Sequence, residues 1–141
     1  MTTEKRAYGD QGEEAAARFL VKEGYHLLER NWRIGHLEVD IIAEHFGLLV
    51  FVEVKTRRSE DYESAAETVS HNKQGHLIEA ARVYCAEYRR DNPIRFDIIT
   101  IVGCAPSFTI THIPDAFSTA SHARVEQAMA ARRRKPYIPR L

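Results

Sequence analysis

Residues 48–55, Leu-Leu-Val-Phe-Val-Glu-Val-Lys, place an acid and an amine at the end of a strand that is apolar enough to lie inside a sheet. Side chains alternate along a strand, so Glu53 and Lys55 share one face with Phe51, while the intervening valines occupy the other. Burying unpaired charge costs several kcal/mol. We therefore expect the pair to have a partner such as a metal ion, a phosphate or other charged side chains.

Length and composition indicate one soluble globular domain. The chain has 141 residues, of which 44% are hydrophobic and 28% charged, and no apolar run approaches a membrane span. The N-terminal residues lack the apolar segment of a secretory signal, so a cytoplasmic location without membrane contact is the default expectation. Cys85, Cys104 and the seven histidines show no spacing typical of a disulfide framework or a zinc site.

Charge is divided unevenly along the chain, although its formal net charge is zero. Residues 120–141 contain six basic and one acidic side chain, a local charge of +5, which leaves −5 on residues 1–119. We therefore divide the chain into an acidic body, 1–119, and a basic C-terminal helix and tail, 120–141. This division is compatible with phosphate binding by the tail and metal binding by the body. A solvated, frayed terminus is the simpler explanation of the charge run taken by itself.

Periodicity and end signals predict the order α-β-β-β-α-β-β, followed by a terminal helix. A helix-mediated crossover between the third and fourth strands favours a parallel pair, whereas the tight Phe46-Gly47 turn favours an antiparallel hairpin. The fold class is thus α/β, a sandwich with a mixed sheet flanked by helices. The predicted segments are helix 10–23 capped by Asp10, strands 25–34, 36–44 and 48–55, a loop over 57–69, a helix from Ser70 to about Arg90, strands 95–102 and 108–113, and helix 121–133.

Two carboxylates are predicted to meet across the hairpin. Alternation puts Glu38, Asp40 and Ile42 on one face of the second strand, so Asp40 can approach Glu53 on the third. Two carboxylates beside an open position suit Mg²⁺ or Mn²⁺, and such an ion can bind a phosphate oxygen and activate water. Lys55 would orient that water or balance the charge of the transition state. This is the chemistry of phosphodiester hydrolysis.

Two further residues are predicted to face the same place. Helical periodicity puts Glu13, and not Glu14, at the inward edge of the first helix. Lys73 lies in the first turn of the long helix, where the helix dipole disfavours a cation. It reaches either toward the acidic cluster or a substrate phosphate, or simply extends its ammonium group into water.

An ordinary ion-pair network remains an alternative for these residues. Glu53 and Lys55 could pair with each other and with Arg57 or Glu38, as opposite charges on strands often do. Convergence of acids from three apolar segments favours a functional site instead. For Arg95 and Asp97, at the start of the fourth strand, a structural ion pair is favoured over catalysis.

Short sequence blocks resemble a known family. Asp40, followed by Glu53-Val54-Lys55, resembles the PD-(D/E)-x-K motif of restriction-endonuclease-like nucleases, which include Holliday-junction resolvases. Over residues 8–117 the chain is similar to the YraN-like family of small bacterial predicted endonucleases. The blocks that carry this similarity are Gly12-Glu13, Arg30-Asn31, Glu38-Val39-Asp40-Ile41-Ile42-Ala43, Phe51-Val52-Glu53-Val54-Lys55-Thr56-Arg57, Lys73 and Arg95-Phe96-Asp97.

The resemblance implies a restriction-endonuclease-like three-layer sandwich. It also implies that Asp40 and Glu53 are metal ligands, that Lys55 is the catalytic lysine and that Glu13 is an additional helix-borne acid. The function expected is a Mg²⁺- or Mn²⁺-dependent endonuclease that hydrolyses DNA, at branched or structured sites.

Recognition of the nucleic acid is expected to act through backbone shape, with contacts from Arg57, Arg58, Lys73 and the basic tail. A homodimer is expected if four-way junctions are the substrate. Two alternatives stay open: a nucleic-acid-binding protein without turnover, and a structural or adaptor protein with an internal ion-pair network.

Overall fold

Five strands and three helices make up the computed structural model, which describes residues 2–59 and 69–134. The predicted order of elements is confirmed. In chain order the elements are α1 Thr3–Lys22, β1 His26–Ile34, β2 Leu37–His45, β3 Leu48–Arg57, α2 His71–Glu87, β4 Ile94–Val102, β5 Thr109–Phe117 and α3 Thr119–Arg133.

The strands form one mixed sheet in the order β1-β2-β3-β4-β5. Three neighbouring pairs are antiparallel and β3 runs parallel to β4, with α2 in the connection between them. This is the crossover predicted from the sequence, because a parallel pair cannot be joined by a tight turn.

Helices cover both faces of the sheet, so the α/β three-layer sandwich is confirmed. One hydrophobic cluster joins Ala16, Ala17 and Leu20 of α1 to the sheet face that carries Val50 and Val52. The other joins α2 to the opposite face. Its members include Leu77, Ala80, Ala81 and Tyr84 of α2 and Val39, Ile42, Leu49, Phe51, Phe96 and Ile98 of the strands.

Three predicted boundaries are wrong. Helix α1 begins at Thr3, seven residues before the predicted start, because the Thr2 hydroxyl accepts a hydrogen bond from the Lys5 N–H and caps it. Strand β5 continues to Phe117. Helix α2 ends at Glu87, three residues before the predicted end near Arg90, and Tyr88, the next residue, is 49% exposed although its ring packs on Tyr84.

Most of the predicted 57–69 loop and the end of the basic tail lie outside the described residues. Ser70 caps α2 as predicted, since its hydroxyl accepts a hydrogen bond from the Lys73 N–H. Within the described ranges, no helix has the length and apolar character needed to cross a membrane.

The predicted face pattern of β2 is also wrong at one point. Ile41 was expected to share a face with Val39, yet Ile41 packs in the α1 cluster while Val39 and Ile42 pack in the α2 cluster. The alternation therefore breaks at Asp40 and Ile41. On the adjacent strand, Asn31 has a left-handed backbone, φ 52°, which is the local distortion that accompanies the break.

Candidate active site

Asp40 lies where β2 and β3 part. Paired residues of the two strands run from His45 and Leu48 to Ile41 and Val52, and one further step puts Asp40 opposite Glu53. At that step the Val54 N–H donates a 2.8 Å hydrogen bond to Asp40 Oδ2. Burial raises the pKa of Asp40, although this hydrogen bond and the charge of Lys73 oppose the rise. The carboxylate is thus fixed by the backbone but is costly to ionise.

Glu13, Asp40 and Glu53 form what we call the acidic pocket. Glu53 is the most buried of the three, with 5% of its surface exposed. Its Oε1 lies 3.7 Å from Lys55 Nζ, and its Oε2 lies 3.9 Å from Lys73 Nζ. Burial, followed by the charge of Asp40, raises its pKa from 4.5 to about 7, against the opposing effect of the two lysines. Lys73 thus reaches the acidic cluster, which is one of the two orientations predicted for it.

Glu13 approaches the pocket from α1. It is half-buried and hydrogen-bonds to Asp40 and to the Asn31 side chain, while burial and the charge of Asp40 raise its pKa to about 7. Glu14 points outward, where it pairs with Arg18 at 3.1 Å and with Arg30 at 2.8 Å. The predicted orientation is therefore confirmed: Glu13 faces inward and Glu14 faces solvent.

Gly12 explains why α1 can bring Glu13 so close to the sheet. A Cβ at this position would lie 2.7 Å from Thr56 Cγ2 and 2.8 Å from Thr56 Cβ, well inside contact distance. Only a residue without a side chain therefore lets the helix rest on β3 at this point. The Gly12-Glu13 block of the sequence thus has a physical cause. The glycine lets α1 pack closely on β3, and this packing places the Glu13 carboxylate beside Asp40.

Asn31 is a site residue that sequence reasoning did not single out. It lies between the residue pairs Arg30–Ile41 and Trp32–Val39, and so faces Asp40 across the β1–β2 ladder. Its side chain hydrogen-bonds to Glu13 and lowers the pKa of that carboxyl. Asparagine tolerates the left-handed backbone better than most residues, but a left-handed residue in the middle of a strand has no sequence pattern that would reveal it.

Two clefts flank the first turns of α1. One has a volume of about 560 Å³ and contains the acids Glu13 and Asp40 together with the cations Lys5, Arg6 and Arg33. The other, of about 670 Å³, is lined by the predicted nucleic-acid contacts Arg57 and Arg58 together with Lys5 and Tyr8. Lys5 and Gly9 line both clefts, so they adjoin. The sequence analysis did not identify Lys5, Arg6 or Arg33.

Two nearby ion pairs have structural roles. Glu38 pairs with Arg33 of the neighbouring strand at 3.4 Å. Asp97 is 1% exposed and accepts hydrogen bonds from Arg95 at 2.8 Å and from the Asp115 N–H at 3.0 Å. His112 Nε2 lies 2.7 Å from its other oxygen. The Arg95–Asp97 ion pair favoured by the sequence analysis is therefore present.

The chemistry of Asp40 and Glu53 fits a hard divalent cation. Both supply carboxylate oxygens, the ligands that Mg²⁺ and Mn²⁺ prefer. Burial raises the pKa of both carboxyls, and repulsion by the negative charge of Asp40 adds to the rise at Glu53. A cation between them would remove that repulsion, so the pair has the donor set and the electrostatic need for one.

The sheet and the pocket together define an α/β sandwich protein with paired buried carboxylates at the end of a strand hairpin. The chain belongs to the uncharacterised protein family UPF0102, whose family model matches residues 12–101. This is the YraN family, so the resemblance found in the sequence is confirmed. The matched segment contains Glu13, Asp40, Glu53 and Lys73, and ends before β5 and α3.

Relatives from distant bacteria match most of the chain. A UPF0102 protein of Phocaeicola vulgatus is 40% identical over 114 residues, 81% of this chain and 94% of the relative. One from Bacteroides thetaiotaomicron is 42% identical with the same coverage of each chain. One from Roseiflexus castenholzii is 43% identical over 124 residues, 85% of this chain and all of the relative.

Proposed function

We propose that this protein is a Mg²⁺- or Mn²⁺-dependent endonuclease that hydrolyses DNA phosphodiester bonds. The observation that carries the proposal is that Asp40 and Glu53 are two carboxyls with raised pKa values, and that two ammonium groups lie within 4 Å of Glu53. Perturbed acids gathered beside cations in a cleft are typical of catalytic sites.

Asp40 and Glu53 are the residues that would hold the ion. When bound, a divalent cation supplies a Lewis acid for a phosphoryl oxygen and lowers the pKa of a water molecule. Asp40 needs little reorganisation for this role because the Val54 N–H already orients it.

The lysines have separate roles. Lys55 is the more exposed of the two, at 41% against 27% for Lys73, so its ammonium group is available to a phosphate or a water molecule at the mouth of the pocket. We assign it to orienting the attacking water and balancing the charge that develops on the phosphate. Lys73 lies deeper and neutralises Glu53.

Glu13 is suited to exchange a proton near neutral pH. Its pKa of about 7 matches the operating range of a general base, and its contact with Asp40 puts it beside the ligand pair. We assign it to accepting a proton from the attacking water, directly or through a second water molecule.

DNA is the proposed substrate, bound through its phosphates. Arg57 and Arg58 line the cleft that adjoins the acidic one, and Lys5 lines both, so cations border the acids along a continuous surface. Contacts of this kind read backbone shape and not base sequence. Branched or structured DNA is the first substrate to test, and a homodimer is proposed if four-way junctions are cleaved.

The test is a cleavage assay on linear, flapped and four-way DNA, with an RNA of the same sequence for comparison. Wild type is incubated with Mn²⁺, with Mg²⁺ and with chelator, beside identically prepared Lys55→Ala. Lys22→Ala, at the far end of α1, is the matched control. We expect cleavage by wild type and Lys22→Ala with either metal, and a loss on the order of a hundredfold or more for Lys55→Ala. Equal cleavage by all three proteins would indicate contamination and overturn the proposal, as would the absence of any cleavage.

Glu13 and Glu14 offer a second matched pair, since they are adjacent in sequence but point to different surroundings. Glu13→Gln is expected to lose cleavage by roughly a hundredfold, while Glu14→Gln retains the wild-type rate. Equal rates for the two variants would remove Glu13 from the mechanism.

One observation favours the structural alternative: Glu53 with its two lysines is also a complete ion-pair network. In that role Glu53 stabilises the fold, and Glu53→Ala would be strongly destabilising in chelator. A nucleic-acid-binding protein without turnover would instead bind DNA in a salt-sensitive way that persists in chelator and does not depend on Lys55.

A further inference from the structure

A second group of potential ligands lies where the first turn of α2 meets α3. His71 begins α2, and His122 and Glu126 lie one helical turn apart on α3. One ligand atom from each of the three lies within 4.8 Å of the others. Sequence spacing could not reveal this group, because His71 lies some fifty positions before His122 and Glu126 and the helices meet only in the folded chain.

Mutual contacts hold the ring nitrogens and the carboxylate oxygen of the three residues close together. His71 Nε2 lies 2.6 Å from Glu126 Oε1, and the rings of His71 and His122 stack in parallel with their centroids 3.9 Å apart. His122 Nε2 lies 3.2 Å from the carbonyl oxygen of His71. A histidine that binds metal ordinarily holds its second ring nitrogen on such an oxygen, which fixes the orientation of the ring.

Local backbone features favour this arrangement. His122 and Glu126 are four residues apart, so they project from the same face of α3. A Cβ at Gly75 would lie 3.3 Å from His122 Nε2, so the glycine leaves room for that ring against α2. Ser118 and Ser121 form a capping box that fixes the start of α3 at Thr119, three residues before His122.

We propose that His71, His122 and Glu126 bind a transition-metal ion, Zn²⁺ being the closest match. Two imidazoles and one carboxylate are a known zinc ligand set, whereas Mg²⁺ prefers oxygen ligands throughout. Zinc holds its ligands at about 2.0–2.2 Å, so tetrahedral neighbours are roughly 3.3 Å apart. Binding requires a ring to turn out of the parallel stack, because a metal ion lies in the plane of each imidazole that holds it. A fourth position then stays open for water or another ligand.

The ion would attach α3 to the body of the protein. Helix α3 contributes no buried residue to the described core, so its contacts with α2 are the polar and stacking ones given above. His71 lies two residues before Lys73, which contacts Glu53. Metal binding would therefore fix both α3 and the turn of α2 that carries a lysine of the acidic pocket. The proposal does not depend on nuclease activity.

The experiment is a titration of untagged full-length protein with Zn²⁺, and with Co²⁺, whose visible absorption reports nitrogen ligation. We expect about one equivalent to bind in wild type. In His122→Ala and Glu126→Gln, affinity is expected to fall on the order of tenfold or more. The controls are His76→Ala, another histidine of α2, and Glu79→Gln, a partly exposed acid of the same helix; both should bind like wild type. Glu53→Gln is titrated as well, to identify any binding at the acidic pocket.

Hydrogen exchange provides a second readout. Zn²⁺ should slow amide exchange in α3 of wild type and of Glu79→Gln, but not in Glu126→Gln. Absence of saturable binding in wild type would overturn the proposal, as would equal binding by wild type, His122→Ala and Glu126→Gln. Loss of binding in Glu53→Gln alone would assign the ion to the acidic pocket and equally reject this site.

Discussion

The Val54 N–H donates a 2.8 Å hydrogen bond to Asp40 Oδ2, so a side chain takes the place of a backbone acceptor at the point where β2 and β3 part. This contact ties one carboxylate of the pocket to the strand that carries the other. The geometry of Asp40 and Glu53 is therefore set by the sheet itself and is expected to persist without any bound ion.

Protein stability in chelator should depend on pH through Glu53. Its pKa rises from 4.5 to about 7 on folding, so between these values the folded chain keeps a proton that the unfolded chain has released. The free energy of unfolding should therefore fall as pH rises from about 4.5 to about 7, and then level off. Glu53→Gln removes the share of this dependence that Glu53 contributes and leaves the share of Glu13, whose pKa is also raised to about 7. The variant should be more stable than wild type at about pH 8 by roughly 1–3 kcal/mol.

Urea unfolding at about pH 5 and about pH 8, with EDTA present, measures this effect. The two lysines tolerate the change because both are partly exposed and can turn to water. Lower stability of Glu53→Gln than of wild type at the higher pH would support the ion-pair network instead.

Two glycines of α1 should respond in opposite ways to the same substitution. Gly12→Ala places a methyl group against Thr56, and we expect a loss of about 1–3 kcal/mol in the free energy of unfolding. Gly9→Ala meets nothing within 4 Å, and alanine's higher helix propensity should stabilise the protein by up to about 1 kcal/mol. Thermal and urea unfolding of both variants check the pair; equal effects would refute the close packing of α1 on β3.

Asn31 should affect the proton affinity of Glu13. Asn31→Gly accepts the left-handed backbone but removes the hydrogen bond that lowers the pKa of Glu13, so that pKa should rise above about 7. Asn31→Ala removes the same hydrogen bond and adds backbone strain of about 1–2 kcal/mol. Carbon-detected NMR titration of the Glu13 carboxyl measures the pKa in all three proteins. An unchanged titration midpoint in both variants would show that Asn31 does not act on Glu13.

Asp97 should matter for stability and not for catalysis. Burial opposes its ionisation, yet hydrogen bonds from His112, Arg95 and the Asp115 N–H keep its pKa below the ordinary value of 3.8. Its contribution is therefore complete above about pH 4 and is lost as pH falls through that lowered pKa. Asp97→Asn leaves Arg95 with a weakened partner and should cost roughly 3–5 kcal/mol.

The exposed Asp91→Asn is the control for this substitution, and should change stability by less than about 0.5 kcal/mol. Cleavage per folded molecule should be the same in Asp97→Asn and wild type. A selective loss of cleavage in a stably folded Asp97→Asn protein would place Asp97 in the mechanism.

Much of the acidic pocket was predictable because it follows from regular periodicity. The 3.6-residue period selects Glu13 over Glu14, and strand alternation with a short hairpin brings Asp40 opposite Glu53. The parallel pairing of β3 and β4 follows from the helix between them. These inferences need only local sequence and the standard geometry of helices and strands.

The remainder depends on interactions that local sequence does not encode. The left-handed backbone of Asn31 and the break in alternation at Asp40 arise from contacts between strands. The contact of His71 with His122 and Glu126 depends on how α3 packs against α2. Helix α3 has no apolar stripe from which that packing could be predicted. Thr2 as the cap of α1 was missed because Asp10 offered an equally good cap signal further along.

The absence of buried α3 residues from the described core has an evolutionary consequence. Substitutions there escape the packing constraints that restrict the sheet and its two covering helices. We therefore expect the C-terminal helix, apart from its proposed ligands His122 and Glu126, to diverge fastest among related proteins.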